Sequence, residues 1–301
     1  MLDLKTYSTT VQMLALCRYG KVNGRSFEAL MRHFGSLERI LHSDSGTLMA
    51  IPGMDVDRAN RISKASESLD KAAKFYQSLR DREIEAVTHC DGVYPRRLEE
   101  TNDPPPILFW RGRILPNDVK TVTICGASES TIAGMELSSN VTKEFAERGV
   151  QIVSSLRSGC DAAVHLAAKA AGASSFAILE SGFDFLYPAD HGALAVDIVQ
   201  TGGLVTEYEP DTRWRADHYR TTNRLLAGLP NAVIVTECYE KSYETVDLLV
   251  ACGELGKLVF VIIDPRLGAL ADEFSLQKAQ TNGAIVMVGM DKIDDISLAL
   301  V

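Results

Sequence analysis

The chain has 301 residues, 46% hydrophobic and 24% charged, with a formal net charge of −9. Such a chain buries a sizeable core and divides into about two domains. No run of eighteen apolar residues marks a membrane span, and the opening Met1-Leu2-Asp3-Leu4-Lys5 lacks the basic-then-apolar order of a secretory leader, so a cytoplasmic protein with no membrane partner is expected. The acidic balance excludes indiscriminate adhesion to phosphates and leaves three local basic clusters as places to hold an anion: Arg18 to Arg25, Arg96 to Arg113 and Arg213 to Arg224. Six cysteines (Cys17, Cys90, Cys125, Cys160, Cys238, Cys252) lie far apart with no Cys-x-x-Cys pair. Reduced, buried thiols are expected, with no disulfide framework, no metal and no cofactor.

From Val11 to Leu79 the signals are helical. Apolar residues recur at three- and four-residue steps through Phe27, Leu30, Met31 and Phe34, then Leu37, Ile40 and Leu41, punctuated by Gly35-Ser36 and Ser43 to Gly46. This predicts a small all-α domain over residues 1–80. Within it, Ile51-Pro-Gly-Met-Asp-Val-Asp-Arg-Ala-Asn-Arg-Ile62 has the outline of a helix-hairpin-helix turn that aims backbone N–H groups at a DNA phosphate. Asp55 stands where that motif usually has a second glycine, and a tight turn used only for packing is the competing reading.

A polar stretch, Leu79 to Val93, leads to Tyr94-Pro95-Arg96-Arg97-Leu98, Pro104-Pro105-Pro106 and the apolar run Ile107 to Trp110. Three successive prolines exclude helix and sheet interior, so an extended connector is expected, with the second domain covering 81–301. Strands then alternate with helices: strands at Thr121–Cys125, Gln151–Ser154, Ser175–Leu179, Leu204–Thr206, Ala232–Val235, Val259–Ile263 and Ala284–Val288, with helical stretches such as Thr131–Arg148 and Asp161–Ala171. The alternation predicts an α/β domain, an extended Rossmann-like parallel sheet covered on both faces. Ligands in such sheets bind at the carboxyl ends of the strands, where strand order reverses.

The strand-end loops therefore supply the candidates. Cys125-Gly126-Ala-Ser128-Glu-Ser-Thr-Ile-Ala-Gly134 is either a phosphate cradle on a helix N-terminus or an ordinary strand-to-helix turn; it is neither a G-x-G-x-x-G fingerprint nor a Walker loop. Ser154-Ser-Leu-Arg157-Ser-Gly159-Cys-Asp161 carries an arginine that could pair with a phosphate. Asp161 stands four residues before His165, either hydrogen-bonded to it or capping the helix. Gly182, in Glu180 to His191, permits a close approach over a ligand or within a buried aromatic turn. His218-Tyr-Arg220-Thr-Thr-Asn223-Arg224 offers guanidiniums and an aromatic ring suited to a nucleotide backbone, and Lys241, Ser242 and Thr245 precede or open a further helix.

Taken in order, these segments resemble the DprA/Smf family of DNA-processing proteins. Tyr94-Pro95…Leu98…Asp103-Pro-Pro…Leu108…Arg111-Gly112 is similar to the family's connector. Gly126 and Gly134 match its Gly-Ser-Arg…Tyr-Gly loop; Ser154, Leu156, Gly159, Asp161 and His165 match its Ser-Gly-Leu-Ala-Arg-Gly-Ile-Asp…Ala-His pattern. Gly182, Tyr187-Pro188, Glu207, Asn223-Arg224…Ala227-Gly228-Leu229, Ser242 and Thr245 follow. The resemblance implies a non-enzymatic protein that binds single-stranded DNA in the crevice, with a RecA-like recombinase and a second copy of itself as partners, in recombination, natural transformation or defence. The departures are Ser128, Ser158 and Thr222, each where the family has an arginine. Three phosphate contacts are thereby absent, each worth about 1.5–3 kcal/mol where present. Arg157 and Arg220 stand one and two residues from lost positions. That pattern keeps open a second reading, a sensor holding a nucleotide or nucleotide-derived ligand in the same crevice. A phosphoribohydrolase is disfavoured, because Glu240-Lys-Ser-Tyr-Glu-Thr245 has no glycine where that class has a Pro-Gly-Gly-x-Gly-Thr loop.

Overall fold

The computed structural model describes residues 4–265, 271–290 and 293–300. The chain divides into two compact units, residues 1–94 with 99–110, and residues 95–98 with 111–301. The first carries helices α1 (Thr9–Leu14), α2 (Gly24–Phe34), α3 (Leu37–Leu41), α4 (Ser45–Leu48), α5 (Val56–Ser63) and α6 (Leu69–Arg80). The apolar positions at helical spacing, Phe27, Leu30, Ile40, Leu41 and Ile62 among them, are buried together with Met13, Leu14 and Leu79. The side chains of Ser8, Asn23, Ser36, Asp44 and Asp55 each accept a backbone N–H from the first turn of the following helix. Asp55 thus serves as the cap of α5. Gly53 takes the left-handed conformation of a tight turn, φ 78°, but the Asp55 carboxylate accepts the Arg58 N–H at 2.7 Å and covers the helix start with negative charge.

The polar stretch after α6 holds a strand that the sequence did not announce. β1 (Glu85–Thr88) pairs antiparallel with β2 (Ile107–Gly112), Glu85 opposite Trp110 and Thr88 opposite Ile107. Four residues with a single long apolar side chain give little period-2 signal, and the partner is some twenty residues away. The prolines between them make the connector expected of them, and the buried Tyr94 ties it back by donating to the Pro105 carbonyl at 2.7 Å. α7 (Arg96–Glu99) is a single turn.

The second unit is a parallel sheet, as the alternation predicts. Its strands are β3 (Thr121–Cys125), β4 (Gln151–Ser155), β5 (Ser175–Ile178), β6 (Gly203–Thr206), β7 (Ala232–Val235), β8 (Leu258–Ile263) and β9 (Ile285–Val288), in the order β6-β5-β4-β3-β7-β8-β9. The intervening helices are α8 (Ile132–Glu147), α9 (Cys160–Ala170), α10 (Gly192–Thr201), α11 (Tyr219–Gly228), α12 (Tyr243–Glu254), α13 (Glu273–Thr281) and α14 (Ile293–Ala299). β3, β5 and β7 are buried along their whole length, which is why they read as unbroken apolar or small-residue runs. Val122, Ile124, Ile152, Ile234 and Phe260 pack on Leu137, Val141 and Phe145 of α8 and on Ile296 of α14. Among the described residues no helix is long and apolar enough to cross a membrane, and no cluster of metal-ligating side chains occurs. Four of the six cysteines are buried, as expected of those inside apolar runs, while Cys17 is half-buried and Cys90 is exposed.

Candidate nucleic-acid interface

The strand order reverses between β3 and β7, so a crevice opens there between the loops that follow them. It encloses about 580 Å³ between Ser128 and Glu129 on one side and the run Tyr239 to Glu244 on the other, with Asp272 beyond. Four carboxylates (Glu129, Glu240, Glu244, Asp272) face one ammonium, Lys241, in a space that the sequence reading offered to a phosphate. The sign is unfavourable for an anion.

The phosphate position itself, the N-terminus of α8, is occupied from within. Glu237 is 1% exposed; its carboxylate accepts the Thr131 N–H at 3.1 Å, the Thr131 hydroxyl at 2.7 Å and the Tyr239 hydroxyl at 3.0 Å. A Cβ on Gly134 would lie 2.1 Å from Glu237 Oε2, so that glycine makes room for a side chain of the same protein. The neighbouring candidates are likewise inward-facing. The Gly126 N–H donates to Asp161 Oδ1 at 3.1 Å and its carbonyl accepts from Thr245 Oγ1 at 2.9 Å, while Ser242 Oγ accepts the Tyr239 N–H at 3.3 Å. Gly159, at φ 72°, brings its backbone against the Ala127 and Ser128 carbonyls, where a Cβ would stand 2.5 Å from the Ser128 oxygen.

Arg157 differs most from its reading as a loop arginine open to a ligand. It is 6% exposed: Nε donates to Glu180 Oε1 at 2.7 Å, one terminal nitrogen donates to Asn223 Oδ1 at 3.0 Å, and the other lies 3.9 Å from Asp161. Burial works against its charge, but Glu180 and Asp161 outweigh that and raise its pKa. Asn223 is fully buried and donates in turn to the Glu244 carbonyl at 2.7 Å and Asp247 Oδ2 at 2.9 Å. Arg224 is joined to Glu207 at 2.5 Å with its side chain 23% exposed. Asp161 and His165 do not touch, nor does Asp161 cap α9; the carboxylate accepts from Gly126 and the Ser155 hydroxyl, and His165 bonds elsewhere.

His165 Nε2 donates to the Ser155 carbonyl and Nδ1 accepts from Ser175 Oγ, both at 2.9 Å, which selects the neutral tautomer protonated on Nε2. Burial pushes its pKa down from 6.5 to about 4. Between those values the unfolded chain binds a proton that the folded chain does not, so this group's contribution falls as pH is lowered, by roughly 3 kcal/mol in all. Asp161 has the opposite sign. Burial, partly offset by Arg157, Ser155 and Gly126, raises it from 3.8 to about 6, so the folded chain holds the extra proton and stability rises as pH falls through that window. The two nearly cancel between pH 6 and 4. Asp161→Asn should unmask His165: the urea midpoint is expected to drop steadily from pH 6.5 to 4 in the variant while changing little in the native chain. A midpoint equally level in both would refute this.

The outward-facing chemistry lies instead at the carboxyl ends of β5 and β6. Tyr187 and Trp214 stack with ring centres 4.1 Å apart and planes 17° apart; Tyr187 is 39% exposed. Arg213 lies over the Phe185 ring at 4.0 Å, and these four residues line a cavity of about 570 Å³. Tyr208 and His218 form a second stack, also at 4.1 Å. Arg220 is exposed beside the Tyr219 ring at 5.6 Å, and Arg215 is exposed in a surface pair with Asp217. Gly182 lets the 183–187 loop approach the next: a Cβ there would stand 2.1 Å from the Glu209 carbonyl. Along the sequence the Arg213 cluster and the aromatic 183–187 loop stand apart. Only the apposition of β5 and β6 unites Tyr187 with Trp214; the one available signal was an aromatic flanked by arginines, Arg213-Trp-Arg215.

A family model, DNA recombination-mediator protein A, matches residues 85–293, more than two thirds of the chain. The chain belongs to that family. Among its relatives is the DNA processing protein DprA of Bacillus subtilis, 26% identical over 260 residues that cover 85% of this chain and 86% of the relative. Protein Smf of Synechocystis is 27% identical over 217 residues, 71% of this chain but only 54% of the relative's length. The fold is shared with DprA of Streptococcus pneumoniae, with a TM-score of 0.79 at 22% identity over 96% of this chain and 98% of that one. It is also shared with DNA processing protein A of Helicobacter pylori, a structure reported for its single-stranded DNA binding mode, with a TM-score of 0.63 at 21% identity over 73% and 98%. The chain is thus a member of a DNA-processing family.

Proposed function

We propose that this family member binds single-stranded DNA across the β5 and β6 loops, without catalysis, and serves recombination in the cytoplasm as a homodimer that passes the strand to a RecA-like recombinase. The observation that carries the reading is the exposed Tyr187–Trp214 stack beside Arg213 and Phe185. Every base has a π-face, so such a platform accepts any sequence, and an arginine alongside it meets the backbone. Duplex hides those faces, which makes the single strand the preferred form. Because Arg157 is buried and Arg224 is joined to Glu207, charge is supplied by few groups, chiefly Arg213 and Arg220, and stacking leads. A nucleotide sensor at the β3/β7 crevice is disfavoured by its four carboxylates and by Glu237 at the head of α8.

The test is fluorescence anisotropy of a labelled dT oligomer, at low and at physiological salt, against duplex of equal length. Binding should favour the single strand and weaken with salt, with a slope of about 0.7 for each phosphate neutralised. Arg213→Ala and Arg220→Ala should each make that slope shallower, whereas Lys241→Ala should leave it unchanged. No binding at low salt would refute the reading; sedimentation of the native chain decides the dimer separately.

A further inference from the structure

Glu180 is a buried carboxylate at the end of β5 with no place in the DNA contacts just described, yet both aromatic stacks meet on it. Its Oε2 accepts the Trp214 indole N–H at 2.9 Å, and its backbone carbonyl lies 2.7 Å from His218 Nδ1. Trp214 stacks on Tyr187, and His218 on Tyr208. Behind it, Oε1 accepts from Arg157 Nε at 2.7 Å, and Arg157 is steadied by Asn223, itself tied to the start of α12. Glu180 is 6% exposed, so it does not reach a bound strand.

We infer that Glu180 is the positioning residue of the stacking platform: it fixes the plane of Trp214 through the indole N–H, with Arg157 and Asn223 holding the carboxylate in place. An indole on a surface loop otherwise has two free torsions, and a ring fixed in advance loses less freedom when a base lands on it. This assigns two of the candidate residues, Arg157 in the loop after β4 and Asn223 in α11, a role in aiming an aromatic ring. The inference rests on the single-stranded DNA reading for its effect on affinity, but not for its effect on the ring.

Two measurements separate the two. In the free protein, the near-ultraviolet circular dichroism of the Tyr187–Trp214 pair should collapse in Glu180→Gln, whose amide nitrogen meets a second donor whichever way it turns, while far-ultraviolet signal persists. With dT oligomer, Glu180→Gln should weaken binding about tenfold, within the range for one stacked base. Trp214→Phe keeps a ring but lacks the N–H, and adding Glu180→Gln to it should cost less than twofold. An equal loss in both backgrounds means Glu180 does not act through the indole and overturns the inference, as does an unchanged near-ultraviolet band. Failure of the native chain to bind DNA overturns the proposed function alone, and the spectroscopic arm still decides the positioning. Glu180→Asp serves if Glu180→Gln fails to fold: the shorter carboxylate keeps one partner and should give a partial loss of the band.

Discussion

Trp214→Ala is expected to weaken dT-oligomer binding by roughly ten- to a hundredfold, and Tyr187→Ala by about as much. A base–aromatic contact contributes about 1–3 kcal/mol, and here the two rings form one surface, so removing either also frees the other to rotate. The double variant should therefore cost less than the product of the single losses, because neighbours in contact are not additive. Tyr187 is substantially exposed, so Tyr187→Ala should move the thermal midpoint little, whereas Trp214→Ala also leaves Glu180 Oε2 without its donor and should lower it further. Anisotropy at fixed salt measures the effect, with Arg220→Ala as a comparison that alters the salt slope more than the affinity at high salt. If both aromatic variants bind within twofold of the native chain, bases stack elsewhere.

The largest effect on stability is expected at Arg157. Arg157→Ala leaves Glu180 without its ion pair, Asn223 Oδ1 without a donor and Asp161 without the nearby positive charge, all in a buried setting. Breaking a buried pair by removing one partner costs about 3–5 kcal/mol, mostly through the charge left behind. The cost should be greater at pH 8 than at pH 5. Asp161, already pushed up to about 6, takes up a proton more readily once the guanidinium is gone and so escapes the penalty at the lower pH. Urea midpoints at the two pH values measure this. Arg157→Lys should recover only part of the loss, since an ammonium cannot span Glu180 and Asn223 as the planar fork does. A loss below 1 kcal/mol would mean that the network is replaceable by water and is not what holds the β4, β5 and β7 loops together.

The seven parallel strands were legible almost to the residue because β3, β5 and β7 are buried throughout and their apolar runs are bounded by turn residues; Thr121–Cys125 and Ala232–Val235 stand where expected. The helical N-terminal unit was legible for a related reason, since caps and apolar spacing are local. β1 was not, because four residues with little pattern become a strand only through a partner met later in the chain. The same distinction divides the site. That small residues crowd the β3 and β4 loops is written in the sequence. What they make room for is not: Gly134 receives Glu237 from a hundred residues away, and Gly159 receives the Ala127 and Ser128 carbonyls.

The arginines teach the same lesson. By itself the sequence determined the fold class, through periodicity and the alternation of strands with helices, and it placed Arg157, Arg220 and Arg224 near strand-end loops. Only the tertiary structure decided which of them meets solvent. Arg157 and Arg224 find Glu180 and Glu207 on neighbouring loops, and an arginine paired with a carboxylate across a strand end is not free to meet a phosphate, whereas Arg213 and Arg220 stay at the surface beside aromatic rings. The pairing depends on which strands lie side by side, a property of the sheet order and not of any local stretch.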